Sequence, residues 1–146
     1  MSLDFQWHVT NLCNLRCRHC YQETFRDEEP QRLFTVAERL LFDLEDLGRC
    51  SVLNVTGGEP LLLGEDLFRL LELLTGHPRV LEVMLITNAL GMSQDTVAEL
   101  ASFPKLTTVK VSLEGMERVN DAIRGKGVFK KVLKSLECLM GSPLRV

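Results

Sequence analysis

The sequence predicts an α/β fold: a parallel sheet with helices on its outer face, the start of a (β/α) barrel. Three observations lead there. Short β-rich runs alternate with helical stretches four times in series. The helical stretches end at glycine or proline. The residues with most chemistry fall just after each strand, the end at which parallel barrels carry their sites.

Taken in order, residues 5–10 alternate apolar and polar side chains and read as a first strand, followed by a cysteine-rich loop. Thr35-Val-Ala-Glu38 has the spacing of a capping box, which predicts a helix through Leu40, Leu41, Leu44 and Leu47, stopped by Gly48. Residues 51–56 form a second strand, and residues 67–74 a helix closed by Gly76 and Pro78. A third strand follows over 82–87, then a helix capped by Ser93 that reaches about Ala101. The fourth strand covers 107–113, a short helix 117–123, and a last helix 128–140 with apolar residues at helical spacing up to Gly141 and Pro143. Leu144-Arg145-Val146 reads as the beginning of a fifth strand, so the expected domain is residues 1–146, the N-terminal part of a longer barrel cut before that strand.

Composition bounds the partners. Seventeen Lys and Arg against twenty Asp and Glu give a formal charge of −3, with no basic block to neutralise a run of phosphates, so nucleic acid is not expected. No run reaches the roughly 18–20 apolar residues of a membrane span, and no signal peptide is evident; a cytoplasmic protein without membrane attachment is expected. Of five cysteines, three crowd into eight residues, which suits metal ligation in a reducing compartment. Cys50 and Cys138 read as small apolar residues, and Phe5 and Trp7 as core.

Cys13-Asn-Leu-Arg-Cys17-Arg-His-Cys20 places three thiols in a loop short enough to surround one metal centre. A four-iron cluster takes four thiolates, so three leave one iron open to a chelating small molecule. A tetrahedral zinc site with His19 or His8 as fourth ligand accounts for the same residues. Gly57-Gly58-Glu59-Pro60 follows the second strand; paired glycines permit close approach to a ligand, and the carboxylate could accept from an ammonium group. On the fourth strand, period-two alternation sets Lys110, Ser112 and Glu114 on one face, with Ser112 turned into the barrel. An inward Lys110 needs a partner.

The C-x3-C-x2-C signature directly after a first strand resembles that of radical S-adenosylmethionine (radical SAM) enzymes, and Gly57-Gly58-Glu59-Pro60 is similar to their GGEP motif without a change. The resemblance implies a six-unit partial barrel in which Cys13, Cys17 and Cys20 hold one 4Fe-4S cluster. It implies that Gly57, Gly58, Glu59 and Pro60 meet the methionyl amino group of S-adenosylmethionine, and that Ser112 and Arg124, twelve residues apart, hold its carboxylate. His19 stands where the family places an aromatic ring against the adenine. Asn88, in Thr87-Asn88, resembles a residue lying near the cofactor, or else caps its own turn. The family commonly has Asp where this chain has Glu114.

The implied activity is reductive cleavage of S-adenosylmethionine to a 5'-deoxyadenosyl radical that abstracts hydrogen from a substrate, the electron coming from a donor such as flavodoxin or ferredoxin. The motif set looks most like members with a C-terminal auxiliary-cluster (SPASM-type) extension, which modify peptides or proteins; haem or other cofactor biosynthesis is the alternative, with a peptide, protein or small-molecule substrate accordingly. A non-catalytic zinc or iron-sulfur module explains the cysteines but not the remaining motifs.

Overall fold

The computed structural model describes residues 2–26 and 31–146. Four parallel strands lie in sequence order: β1 (Ser2–His8), β2 (Cys50–Thr56), β3 (Val80–Thr87) and β4 (Leu106–Val111). Each crossover passes through helix: α1 (Arg32–Asp46), α2 (Glu65–Gly76, preceded by a 3₁₀ turn, Pro60–Leu63) and α3 (Gln94–Ala101). After β4 come α4 (Glu117–Arg124) and α5 (Val128–Met140). The registers run Gln6 to Asn54, Asn54 to Met84, Met84 to Thr108 and Ile86 to Lys110.

The fold follows from where apolar side chains recur. Leu53 and Val55 on β2, Val83 and Leu85 on β3 and Val109 on β4 are wholly buried beneath the helices. Helix α2 presents Leu67, Leu70, Leu71 and Leu74 to that layer, all fully covered. Burying each such leucine contributes about 1.5–3 kcal/mol before chain entropy is set against it. Phe5 and Trp7 pack partly buried against the same core, as does Cys138. Both remaining cysteines, Cys50 and Cys138, are half-buried and form no disulfide.

Helix α1 departs from the capping-box expectation. It begins at Arg32 after Gln31, with no side-chain cap, so Thr35 lies inside the helix. The reason is that its buried stripe starts at Leu33 and continues through Ala37, Leu41 and Leu44; burial of Leu33 extends the helix past the residue best suited to start it. At the other end, Gly48 takes φ +60°, which stops the helix as expected. Ser93 does cap α3, its hydroxyl accepting from the Thr96 amide at 3.1 Å. Strand β1 starts three residues earlier than the alternation indicated, and β4 ends at Val111, just before Ser112.

Of residues 144–146, Arg145 forms an isolated bridge to β4. Arg145 pairs in parallel with Thr108, its carbonyl accepting from the Val109 amide and its amide donating to the Thr107 carbonyl. Lys110 is exposed, so burial demands no partner of it; its Nζ nonetheless donates to Asn54 Oδ1 at 2.8 Å. No helix among the described residues is long and apolar enough to cross a membrane.

Core and rim leucines should therefore differ sharply. Leu53→Ala should cost about 2–5 kcal/mol in urea unfolding. Leu47→Ala, at a residue 63% exposed although it sits in the apolar rhythm of α1, should stay within about 0.5 kcal/mol.

Candidate functional site

The four strands end at a common cavity of about 280 Å³. The loop after β1 contributes Cys13, Cys17, His19 and Cys20; the loop after β2 contributes Gly57 and Gly58; β3 contributes Thr87 and Asn88. Ser112, one residue past β4, and Arg124, the last residue of α4, complete the wall. Glu59 and Pro60 do not line it. Both are buried behind the loop, Glu59 with 0% of its surface exposed.

The glycines serve a close approach, but to protein. A Cβ on Gly58 would overlap the Leu12 carbonyl oxygen, and one on Gly57, at φ +137°, the Thr10 carbonyl oxygen. The Gly58 amide donates to Thr10 O at 2.8 Å and the Glu59 amide to Leu12 O at 2.6 Å. The β2 loop is thereby fastened to the root of the cysteine loop, and both glycines still face the cavity.

Glu59 carries the next link. Its Oε1 accepts from Thr87 Oγ1 at 2.7 Å and from the Leu61 amide at 3.1 Å; its Oε2 accepts from the Asn88 amide at 2.6 Å. Burial, the largest effect, raises this carboxyl above its ordinary range; the three donors and the Arg124 charge oppose it in part. Asn88 caps its own turn, Oδ1 accepting from the Leu90 amide at 3.0 Å, while its Nδ2 donates to Asn14 Oδ1 in the cysteine loop at 2.8 Å. The next residue, Ala89, takes φ +62°, and its carbonyl accepts from Ser135 Oγ of α5 at 2.6 Å.

Arg124 is oriented by Glu114, whose Oε1 accepts from Nε at 3.0 Å and Nη2 at 2.6 Å. His19 Nε2 lies 3.4 Å from the same oxygen. The guanidinium holds Glu114 below the ordinary carboxylate range, with His19 adding to the effect. A further tether, from the Arg18 amide to the Ile123 carbonyl at 2.9 Å, joins the cysteine loop to the end of α4. Asp121 fixes the α4–α5 corner by accepting from the Gly127 and Phe129 amides at 2.5 and 2.9 Å. Among the described residues the Ser112 hydroxyl has no hydrogen-bond partner; its amide donates to the Thr87 carbonyl at 3.0 Å.

The three cysteines share one wall. Burial pushes the Cys17 thiol up, Arg124 opposes this, and Cys13 and Cys20 raise it further. Among the described residues no three Cys, His, Asp or Glu side chains come close enough to hold a metal ion, so the sulfurs neighbour one another without converging. Neither imidazole joins them: His19 faces Glu114, and His8 meets the Tyr21 hydroxyl at 3.2 Å. Three unpaired thiols on one cavity wall, with a cation beside the central one, nevertheless fit an iron-sulfur cluster by donor chemistry, and drawing them together is what ligation accomplishes in a loop of this kind.

The fold and this wall define a partial parallel (β/α) barrel with three free thiols at the C-terminal ends of its strands. The chain belongs to the Radical SAM superfamily, whose pattern matches residues 7–145. It is 37% identical over 131 residues, 87% of the chain, to the pre-heme d1 synthase of Dinoroseobacter shibae, and 32% identical over 134 residues, 91% of the chain, to the mycofactocin maturase MftC of Mycolicibacterium smegmatis. These matches cover 31% and 33% of the relatives, so the chain spans about a third of the length of the curated proteins it matches. In structure it resembles native anSMEcpe with bound AdoMet and the Cp18Cys peptide, with a TM-score of 0.75 at 23% identity over 99% of this chain and 41% of that one. Streptococcus suis SuiB bound to S-adenosylmethionine follows at 0.74 and 23%, over 97% of this chain and 32% of that one. These similarities establish the fold as a partial radical SAM barrel.

The sequence indicated nine of the residues on this wall. It did not indicate Asn14 or Thr87 as links, nor that Glu114 would hold Arg124. No local pattern marks Asn14; Glu114 and Arg124 are ten residues apart, and only the turn of chain between β4 and α4 brings them together.

Gly58→Ala should lower the urea midpoint and the iron retained after reconstitution together, because the added carbon displaces the Leu12 carbonyl. The depressed Glu114 makes a pH prediction. Its contribution to stability is complete above the unfolded carboxylate value of about 4.3 and is lost as pH falls through the lower folded value. Glu114→Gln should be less stable than the parent at neutral pH, with the gap closing on acidification in urea titrations.

Proposed function

We propose that residues 1–146 are the N-terminal part of a radical SAM core in which Cys13, Cys17 and Cys20 hold one 4Fe-4S cluster and the facing loops hold S-adenosylmethionine. The observation that carries the reading is the meeting, at the C-terminal ends of all four strands, of three unpaired thiols with Gly57-Gly58, Ser112 and Arg124 around one cavity. With the cluster bound, the chemistry supplied is one-electron reduction of the sulfonium, giving methionine and a 5'-deoxyadenosyl radical that takes hydrogen from a substrate.

The chain's own residues position the cofactor. Gly57 and Gly58 offer main chain to the methionyl amino group, with the Glu59 carboxylate behind them as a source of negative potential. The unpartnered Ser112 hydroxyl and the Arg124 N–H groups not taken by Glu114 receive the methionyl carboxylate, a charge-assisted contact. His19, held by Glu114, offers its ring to the adenine, and Asn88 stabilises the β3 corner against the cysteine loop. Cys17 acts as a thiolate once ligated, which reverses the upward push that burial gives the free thiol.

Peptide or protein modification is the substrate class favoured, on the likeness to MftC and SuiB; the 37% identity to a pre-heme d1 synthase supports haem or cofactor biosynthesis as the second reading. An electron donor such as flavodoxin or ferredoxin and a cytoplasmic location accompany either.

Anaerobic reconstitution should yield about four irons and four sulfides per chain, and reduction with S-adenosylmethionine should release 5'-deoxyadenosine. Cys17→Ser should abolish both. Zinc without sulfide in the protein as isolated from anaerobic cells, or cleavage that survives the loss of Cys17, would overturn the assignment.

A further inference from the structure

The inner face of the sheet is polar where a parallel barrel is ordinarily filled with Val, Ile and Leu. In register, its upper layer pairs His8 with Thr56 and Ile86 with Lys110; the next is Gln6, Asn54, Met84 and Thr108; Asp4, Val52 and Glu82 lie a layer lower. The cofactor cavity runs down onto this face, for Gln6, Thr56 and Ile86 line it, and Lys110 is the register partner of Ile86. Across the layers runs a chain of hydrogen bonds: Lys110 Nζ donates to Asn54 Oδ1 at 2.8 Å, and Asn54 Nδ2 donates to Asp4 Oδ1 at 3.1 Å.

That chain gives the ammonium a direction. Asp4 orients the Asn54 amide so that its oxygen meets Lys110, and Lys110 is held to the inner face two residues below Ser112, on the same side of β4. One of its three N–H groups is used by Asn54; two remain. As a sheet staple the arrangement is worth little, since exposed polar and charged pairs contribute at most about 1 kcal/mol. As a recognition device it has a definite chemistry: an exposed point charge outside the cavity lining but beside Ile86, which belongs to it, with the Asp4 carboxylate and the Arg145-paired Glu82 two layers below. The combination suits one carboxylate placed under the cofactor and disfavours a phosphate dianion, which would need more cations than this layer holds.

We propose that Lys110, positioned by Asn54 and Asp4, is a binding site for a carboxylate of the substrate, on the inner face directly beneath the cofactor cavity. The inference rests on the radical SAM reading for its account of what lies above, and it names the class of molecule that enters from below: one bearing a free carboxylate, from a peptide terminus or from a small acid.

Two matched pairs test it on the intact chain without cofactor, by NMR chemical-shift titration. One is the peptide Gly-Leu-Phe as free acid and as C-terminal amide; the other is 3-phenylpropionate and 3-phenylpropionamide. The acid of at least one pair should bind about tenfold more tightly than its amide, and the pair with the larger ratio identifies the source of the carboxylate. Lys110→Met should bring acid and amide within about twofold, while Lys110→Arg keeps the preference; should the Met variant fail to fold, Lys110→Gln takes its place. Equal or absent binding of acid and amide in both pairs, or a preference that survives the loss of the ammonium, overturns the proposal. Because no iron is needed, failure of 5'-deoxyadenosine formation in the reconstituted parent counts against the cofactor reading alone.

Discussion

One carboxylate with no access to solvent holds the top of this sheet together. Glu59 sits at 0% exposure and receives a hydroxyl and two amides, two of the three from the end of β3. Removing such a group from water is costly unless each lone pair is met, and here the cost is offset only if the β2 and β3 loops take one relative position. The adjacent glycines extend the constraint to β1, since they admit the Thr10 and Leu12 carbonyls where no side chain could fit. Three of the four strand ends are thus registered by one buried carboxyl group and two missing Cβ atoms.

The fourth strand end is registered differently, by charge near the surface. Glu114 draws Arg124 over the cavity rim and brings His19 to the same oxygen. Both side chains are part-buried, Arg124 10% and Glu114 27% exposed, and this pair ties fewer elements than the Glu59 cluster, so the Ser112–Arg124 wall is the more lightly tied side of the site. Its corner is nevertheless well defined, because Asp121 accepts two amides at the start of α5 and Arg124 follows three residues later.

Much of this was legible in the sequence because it rests on periodicity and on residues with few conformational alternatives. The order of strands, the α5 boundaries and the Ser93 cap all follow from local pattern. The start of α1 was not legible: a well-spaced Thr and Glu lost to the burial of Leu33, a tertiary effect that local cap chemistry does not contain. In the site, Cys13, Cys17, Cys20, Gly57, Gly58, Ser112 and Arg124 line one cavity, whereas the functions of Glu59 and the glycines within the protein itself were hidden. Gly57-Gly58 reads in isolation as room for a ligand; only the structure reveals that the room is first taken by the chain.

The loops around the cavity are tied to one another largely through main-chain atoms: Gly58 to Thr10, Glu59 to Leu12, Arg18 to Ile123, Ser112 to Thr87. Such ties are indifferent to the identity of the side chain at most of the positions they join. The shape of the cavity end can therefore survive drift at residues such as Leu12, Arg18 and Ile123, while the inner face, where side chains make the surface, is free to change its chemistry. A scaffold divided in this way lets residues on the inner face of the strands be exchanged while the loops at the strand ends keep their arrangement.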